Sequence, residues 1–147
     1  MRPSRVVVEV SSTVRKLPIS DARVRKLVEA ALRETKISDA MVSVAFVGRA
    51  TMSRLNHDYL GHGGPTDVIS FGMGREGRGM PAVGDIYICP EIAGRNARAA
   101  GVSIANELAR LVVHGTLHIA GLDHPIDETR TSSPMWKKQE WILGLSD

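Results

Sequence analysis

The chain has 147 residues, of which 43% are hydrophobic and 24% charged, and this length fits one globular domain and leaves no room for a second. Its single cysteine, Cys89, excludes an internal disulfide framework and a cysteine-rich zinc module. The net charge is only +3, but 14 of the 19 basic residues are arginine, which binds phosphate in a bidentate manner better than lysine does.

Alternating strands and helices are predicted for the first half of the chain. β-Branched residues at every second position, Val6, Val8 and Val10, indicate a strand with one buried face. Apolar residues at helical spacing after Ser20 indicate an amphipathic helix with basic side chains on its exposed sides. In order, the predicted elements are a strand at 5–10, a helix at about 21–35, a strand at 42–46 and a helix at 50–59.

Two further strands and three helices are predicted for the second half. The two strands flank a glycine-rich segment, 72–82, so they are expected to pair as a long hairpin around a flexible loop. Gly101 would end one helix and Ser103 would cap the next, and in the last helix Trp136 and Trp141 are expected to pack inward. The whole chain, 1–147, is therefore predicted to be a single α/β (α+β) domain with a small mixed β-sheet packed against helices. The predicted strands are 67–71 and 84–89, and the helices are 91–100, 103 to about 120, and 133–145.

Three of the five histidines lie within 11 residues of each other, between positions 114 and 124. His114 and His118 are four residues apart, so on a helix both imidazoles share one face. Gly121 can adopt the left-handed conformation that ends a helix and returns His124 toward the same point. Three protein ligands with a fourth position left to water is the arrangement of catalytic zinc. The spacing predicts a metal site on a late helix and the turn after it, and the alternative is a set of unrelated histidines satisfied by hydrogen bonds.

The same offsets occur in the zinc motif of metzincin peptidases, His-Glu-x-x-His-x-x-Gly-x-x-His, whose glutamate is the general base. Here that position is Gly115, so the spacing favours a metal while the substitution argues against ordinary proteolysis. Two acidic residues are predicted to contact the ligand side chains or to have a structural role, rather than to bind the metal. They are Glu107, on the same helical face, and Asp123, in the turn. His57 and His62 have no such partners and are expected at the surface or in local turns.

These segments closely resemble the YbeY family of bacterial endoribonucleases, also called ribosomal RNA maturation factors. The hallmark of that family, His-Gly-x-Leu-His-Leu-x-Gly-x-Asp-His, is similar to residues 114–124, with Ile119 in place of a leucine. A second family segment, Leu-Asn-x-x-Tyr-Arg followed by Pro-Thr-Asp-Val-Leu-Ser-Phe, resembles residues 55–59 and 65–71. One departure is that the family arginine after the tyrosine falls on Leu60.

The resemblance implies a zinc-dependent, single-strand-specific endoribonuclease that acts in ribosomal RNA processing and ribosome quality control, with RNA and ribosomal subunits as partners. It implies one Zn²⁺ on His114, His118 and His124. We expect a bound water as the fourth ligand and as the nucleophile, and a ribose hydroxyl is the alternative nucleophile. No other catalytic group is assigned. Residues of the Thr-Asp-Val segment either line the substrate groove or only form hydrogen bonds at a strand entry. Either nearby arginines replace the missing one, or phosphate stabilisation is weaker in this protein. These substrate-binding candidates are Thr66, Asp67, Arg54, Arg75 and Arg78.

Two other functions stay open at this point. One is a different metallohydrolase, such as a peptidase, for which Gly115 is the adverse feature. The other is a non-catalytic ribosome-assembly factor whose metal only clamps the helix end.

No stretch approaches the roughly 20 apolar residues of a membrane span, and the N-terminus lacks the apolar core of a signal peptide, so we expect a cytoplasmic protein without membrane contact. The oligomeric state is not predicted.

Overall fold

The computed structural model of the protein describes residues 5–73, 80–123 and 128–145. Four strands and five α-helices lie in these ranges, together with one short 3₁₀ helix at Glu128–Ser132. The strands are β1 (Arg5–Ser12), β2 (Asp39–Phe46), β3 (Val68–Gly72) and β4 (Ala82–Ile88). The helices are α1 (Asp21–Glu34), α2 (Arg49–Leu60), α3 (Pro90–Ala100), α4 (Ile104–Ile119) and α5 (Pro134–Leu145).

The four strands form one mixed sheet in the order β1-β2-β4-β3. β1 pairs with β2 and β2 with β4 in parallel, whereas β3 runs antiparallel to β4, with Phe71 opposite Asp85. The predicted mixed sheet and the predicted β3–β4 hairpin are both confirmed. β3 is an edge strand, and its residues Ser70 and Gly72 line the same surface hollow as His118 of α4.

The two faces of the sheet are covered differently. Alternate residues of β2 and β4, such as Val44 and Ile86, point into the main core, which they share with buried residues of α1, α4 and α5. On the opposite face, Met52 of α2 packs with Ile69 and Cys89 in a smaller cluster. α2 therefore lies across the sheet from α4.

Local sequence signals account for most helix ends. The Ser20 side chain accepts a hydrogen bond from the Arg23 backbone N–H, and the Ser103 side chain accepts one from that of Asn106, so both serines cap their helices. The cap at Ser103 was predicted from the sequence. Gly101 ends α3 with φ +71°, a left-handed conformation that glycine adopts without strain. Among the helices of the described residues, none is long and apolar enough to cross a membrane.

The last helix corrects one sequence prediction. Trp136 is half-buried, but Trp141 is 55% exposed rather than packed inward. α5 turns Met135, Gln139 and Ile142 toward the core, and positions 135, 139 and 142 follow the helical repeat, which position 141 does not. An aromatic side chain alone was therefore a poor guide to the buried face.

The middle of the glycine-rich loop, 74–79, lies outside the described residues, and its predicted flexibility stays a prediction.

Candidate active site

His114 and His118 lie one turn apart on α4, and their side chains meet. The two Nε2 atoms are 3.2 Å apart, and the ring planes are inclined by 79°. Two nitrogens bound to one tetrahedral zinc at about 2.0–2.1 Å would be separated by roughly 3.3 Å. The same distance also permits one imidazole to donate a hydrogen bond to the other. The pair thus has the separation that a shared metal ion requires.

The chain turns back directly after these histidines. Gly121 has φ +102°, its N–H donates to the His118 carbonyl oxygen at 2.9 Å, and the Leu122 N–H donates to the Leu117 carbonyl oxygen at 3.0 Å. This pair of bonds is the Schellman arrangement that ends helices at glycine. The turn predicted at Gly121 is present.

The third predicted ligand, His124, lies outside the described residues. Within ranges 5–73, 80–123 and 128–145, no group of three or more histidine, cysteine, aspartate or glutamate residues is placed to hold a metal ion. The two described histidines fit a zinc ion in donor type and in separation. Three-histidine coordination itself stays a prediction.

Gln139, the hydrogen-bond partner of His114, is not among the site residues predicted from the sequence. Its Oε1 lies 2.7 Å from His114 Nδ1, and its side chain is completely buried. Gln139 sits on the apolar face of α5, four residues after Met135 and three before Ile142. A glutamine at such a position must find hydrogen-bond partners inside the protein, and this was the signal that could have identified it.

A charged network continues from Gln139 between α4 and α5. Gln139 Nε2 donates to Glu140 Oε2 at 3.0 Å, and Arg110 donates to both Glu140 oxygens, from Nε at 2.9 Å and from Nη2 at 3.1 Å. Arg110 Nη1 also donates to Glu107 Oε1 at 2.8 Å. Glu107, which the sequence suggested as a support for the metal ligands, therefore has Arg110 as its observed partner.

This network changes the acid–base properties of its members. Burial by itself raises the pKa of Glu140, but the hydrogen bonds from Arg110 and Gln139 outweigh burial and hold that pKa below its ordinary value. The hydrogen bond to Glu140 likewise raises the pKa of Arg110, against the opposing effect of burial. Both groups are therefore charged at neutral pH.

Asp123 is the second acidic residue that the sequence placed behind the ligands. Its Oδ1 lies 3.8 Å from His118 Nδ1, and its side chain is 96% exposed. At this distance the two atoms form an ion-pair contact only if the imidazole is protonated, and the separation is too long for a good hydrogen bond. Asp123 thus lies on the side of the His118 ring away from His114.

Two surface hollows meet at the histidine pair. The larger, of about 620 Å³, is bordered by His114, and the smaller, of about 460 Å³, by His118. Because His114 and His118 are in contact, each of the two hollows borders one member of the pair. The larger is lined by Asp67, Val68, Asn96, Ala100, Val102, Glu107, Arg110, Leu111, His114, Trp136 and Gln139, and the smaller by Ser70, Gly72, His118, Ile119, Gly121, Leu122 and Asp123.

The predicted substrate-binding residues are dispersed. Asp67 borders the larger hollow, where its carboxylate accepts hydrogen bonds from Thr66 Oγ1 at 3.4 Å and from Asn96 Nδ2 at 3.3 Å. Arg54 is exposed on α2, across the sheet from α4, and its guanidinium has a 3.5 Å contact with Thr51. Arg75 and Arg78 lie outside the described residues. The basic side chains of α1 do not reach the hollows, because α1 contributes no residue to their described linings.

The remaining residues singled out by the sequence lie away from the pair. Leu60, at the position of the family arginine, is 47% exposed at the end of α2. His57 and His62 are exposed, as expected, and His57 contacts Asp58.

Gly115 faces the sheet rather than the hollows. A Cβ atom at this position would come within 2.8 Å of Ile86 Cγ2 in β4, so the glycine allows α4 to pack closely on the sheet. A glutamate here would point into the core, whereas a metalloprotease base must reach the metal-bound water. The absence of a glutamate therefore follows from the way this helix is oriented.

The fold and the site define a mixed α+β protein with a histidine pair, held by a buried glutamine, at the junction of two surface hollows. A family model with the description Endoribonuclease YbeY matches residues 9–145. The chain belongs to the YbeY endoribonuclease family.

Individual relatives agree with this assignment. An Endoribonuclease YbeY from Geobacter sulfurreducens is 36% identical over 141 residues, which covers 94% of this chain and 94% of the relative. One from Geobacillus kaustophilus is 41% identical over 129 residues, covering 82% of this chain and 81% of the relative. The solution structure of TM1509 from Thermotoga maritima matches with a TM-score of 0.66 at 29% identity, covering 95% of this chain and 89% of that chain.

Proposed function

We propose that this protein is a zinc-dependent, single-strand-specific endoribonuclease that acts on ribosomal RNA in the cytoplasm, in ribosomal RNA processing and ribosome quality control. The observation that carries the proposal is the 3.2 Å separation of His114 Nε2 and His118 Nε2 at the junction of two hollows, in a chain of the YbeY endoribonuclease family. His124 is the proposed third ligand.

The chemistry of RNA hydrolysis suits these residues. When bound, zinc lowers the pKa of a coordinated water toward 7 and stabilises negative charge on a phosphoryl oxygen. His114 and His118 supply neutral nitrogen donors, and Gln139 holds the His114 ring in place. The hollows offer space on both sides of the histidines for the nucleotides that flank one phosphate.

A preference for single-stranded RNA is consistent with the shape of the site. An unpaired strand can bend and unstack its bases, so that its phosphate approaches the histidines while its bases enter the hollows. The larger hollow combines the half-buried Trp136 with Asp67 and Asn96, side chains that can stack on or form hydrogen bonds with a base. A paired helix cannot separate its bases in this way without losing pairing.

The experiment compares the metal content and the RNA cleavage of the wild-type protein with those of His114→Ala and His118→Ala. We expect about one zinc per wild-type chain, and loss of both metal and cleavage in each variant, because each removes one nitrogen donor. The matched control is His57→Ala, an exposed histidine on α2, which should retain both properties. Substrates should include single-stranded and fully paired versions of one ribosomal RNA fragment.

Each failure has a distinct meaning. Full cleavage by metal-free protein, or by His114→Ala, would contradict the proposed site. Zinc binding with ribosomal-subunit binding but no cleavage would favour the assembly-factor alternative. Cleavage of casein without cleavage of RNA would favour a peptidase, although the orientation of Gly115 leaves that alternative without its usual general base.

A further inference from the structure

We propose that Gln139 is a positioning residue for the metal site. Its side-chain oxygen holds the His114 proton on Nδ1 and so leaves Nε2 as the unprotonated nitrogen that faces His118. The inference rests on the metal site of the proposed function, but it concerns a contact between α4 and α5 that exists without any metal.

Gln139 contacts the His114 ring directly. Gln139 Oε1 lies 2.7 Å from His114 Nδ1, and an amide oxygen can only accept a hydrogen bond. Nδ1 must therefore carry the proton. A neutral imidazole has one N–H, so Nε2 then has a free electron pair, as a metal ligand requires. Gln139 is completely buried, so water does not compete for this bond.

The orientation of the Gln139 amide decides which group His114 meets, since a reversed side chain would present N–H groups instead. Its Nε2 is 3.0 Å from Glu140 Oε2, and an ionised carboxylate only accepts hydrogen bonds. The nitrogen end of the amide must face Glu140, which leaves the oxygen end for His114. The assignment of oxygen and nitrogen thus follows from the chemistry of the neighbour.

Arg110 holds the Glu140 carboxylate in place. Arg110 donates to both of its oxygens, at 2.9 and 3.1 Å, and donates a further bond to Glu107 at 2.8 Å. A guanidinium only donates, so every hydrogen bond from Arg110 through Glu140 and Gln139 to His114 has one allowed direction. The tautomer of His114 is therefore set, through Gln139, by the ion pair between Glu140 and Arg110.

The measurement is the zinc dissociation constant of the full chain without RNA, obtained by competition with a chelator. We expect Gln139→Leu, which keeps a buried side chain of similar size, to weaken zinc binding by about 10–100-fold. The control is Lys137→Leu, at an exposed position of the same helix, which should leave the constant unchanged. In the metal-free wild-type protein at alkaline pH, the ¹⁵N shifts of the His114 ring should show a protonated Nδ1, and Gln139→Leu should show a mixture of both tautomers.

A swap of the two polar side chains tests positioning against a merely structural role. The double variant Gln139→Glu, Glu140→Gln again places an acceptor against His114 Nδ1, and the new amide at position 140 can donate to it. Its zinc affinity should therefore recover most of what Gln139→Leu loses. If Gln139→Leu does not fold, Glu140→Gln at its partly exposed position should still mix the tautomers, because the amide of Gln139 then loses its fixed direction.

The outcomes separate this inference from the proposed function. If the wild-type protein binds no zinc, the metal site of the proposed function is wrong, and the tautomer measurement still tests the hydrogen bond. If the wild-type protein binds zinc and Gln139→Leu binds it equally tightly with an unchanged tautomer, the positioning role is refuted and the metal site stands.

Discussion

Arg110 connects the carboxylates of Glu107 and Glu140 where α4 packs against α5. The side chains of Arg110 and Glu107 are only 19% and 14% exposed, so this is not an ordinary surface ion pair. Glu140 is 36% exposed, and removal of one member of such a partly buried pair leaves its partner charged and with less compensation. At the scale of single residues, the charge of Glu140 thus contributes both to the stability of this contact and to the orientation of Gln139.

The lowered pKa of Glu140 predicts how the stability of the protein depends on pH. Its pKa is below the ordinary value of 4.5, so its carboxylate stabilises the folded state above the unfolded-state pKa, and this contribution is lost as pH falls through the lower folded-state pKa. We therefore expect Glu140→Gln to reduce the free energy of unfolding near pH 7 and to have progressively less effect in acid. Denaturant titrations of both proteins at several pH values between about 7 and 3 would measure this difference. A difference independent of pH would contradict the assigned role of the charge.

At the scale of elements, two glycines determine how closely α4 approaches β4. A Cβ at Gly84 would lie 2.6 Å from the Phe71 carbonyl oxygen and 2.7 Å from Ile119 Cγ1. Ile119 follows His118 directly, and Phe71 belongs to the antiparallel β3–β4 ladder. The position of His118 thus depends on the absence of a side chain in a neighbouring strand.

Gly84→Ala tests this dependence. We expect the free energy of unfolding to fall by about 1–3 kcal/mol, the usual cost of overpacking, because the backbone oxygen of Phe71 cannot move without disturbing the ladder. Zinc affinity should fall as well, since Ile119 must shift. Gly144→Ala is the matched control, because a Cβ in this part of α5 would meet nothing within 4 Å, and alanine favours a helix by up to about 1 kcal/mol. Chemical denaturation and chelator competition would give both quantities, and a fully stable Gly84→Ala with wild-type zinc affinity would disprove the argument.

At the scale of the whole molecule, the site joins parts of the chain that are distant in sequence. The hydrogen bond from His114 to Gln139 spans 25 residues and links α4 to α5, while the larger hollow adds residues from β3 and α3. A ligand that binds only this assembled arrangement stabilises the entire folded state, because the unfolded chain has no such site.

Zinc is therefore expected to raise the thermal stability of the whole domain. With free zinc at 100 times the dissociation constant, the stabilisation is about 2.7 kcal/mol, and for a chain of this size the melting temperature rises on the order of 5–10 °C. Thermal scans of metal-free protein with and without added zinc would measure the shift. His118→Ala should abolish it and His57→Ala should not; an equal shift in all three proteins would indicate binding elsewhere.

Local signals in the sequence determined much of the fold. The alternation of valines in β1, the caps at Ser20 and Ser103 and the turn at Gly121 each depend on residues within a few positions of one another. The four-residue spacing that aligns His114 and His118 is local for the same reason. Periodicity within one segment, together with the capping preferences of serine and glycine, was therefore sufficient to predict most of these features.

Only the tertiary structure decided what surrounds the histidine pair. It placed Gln139 against His114, turned Gly115 toward the sheet and left Trp141 exposed. It also separated Arg54 from the site by the thickness of the sheet. These outcomes depend on which helix packs on which face, and that choice is made by the burial of apolar surface over the whole domain, which the spacing of residues within one segment does not encode.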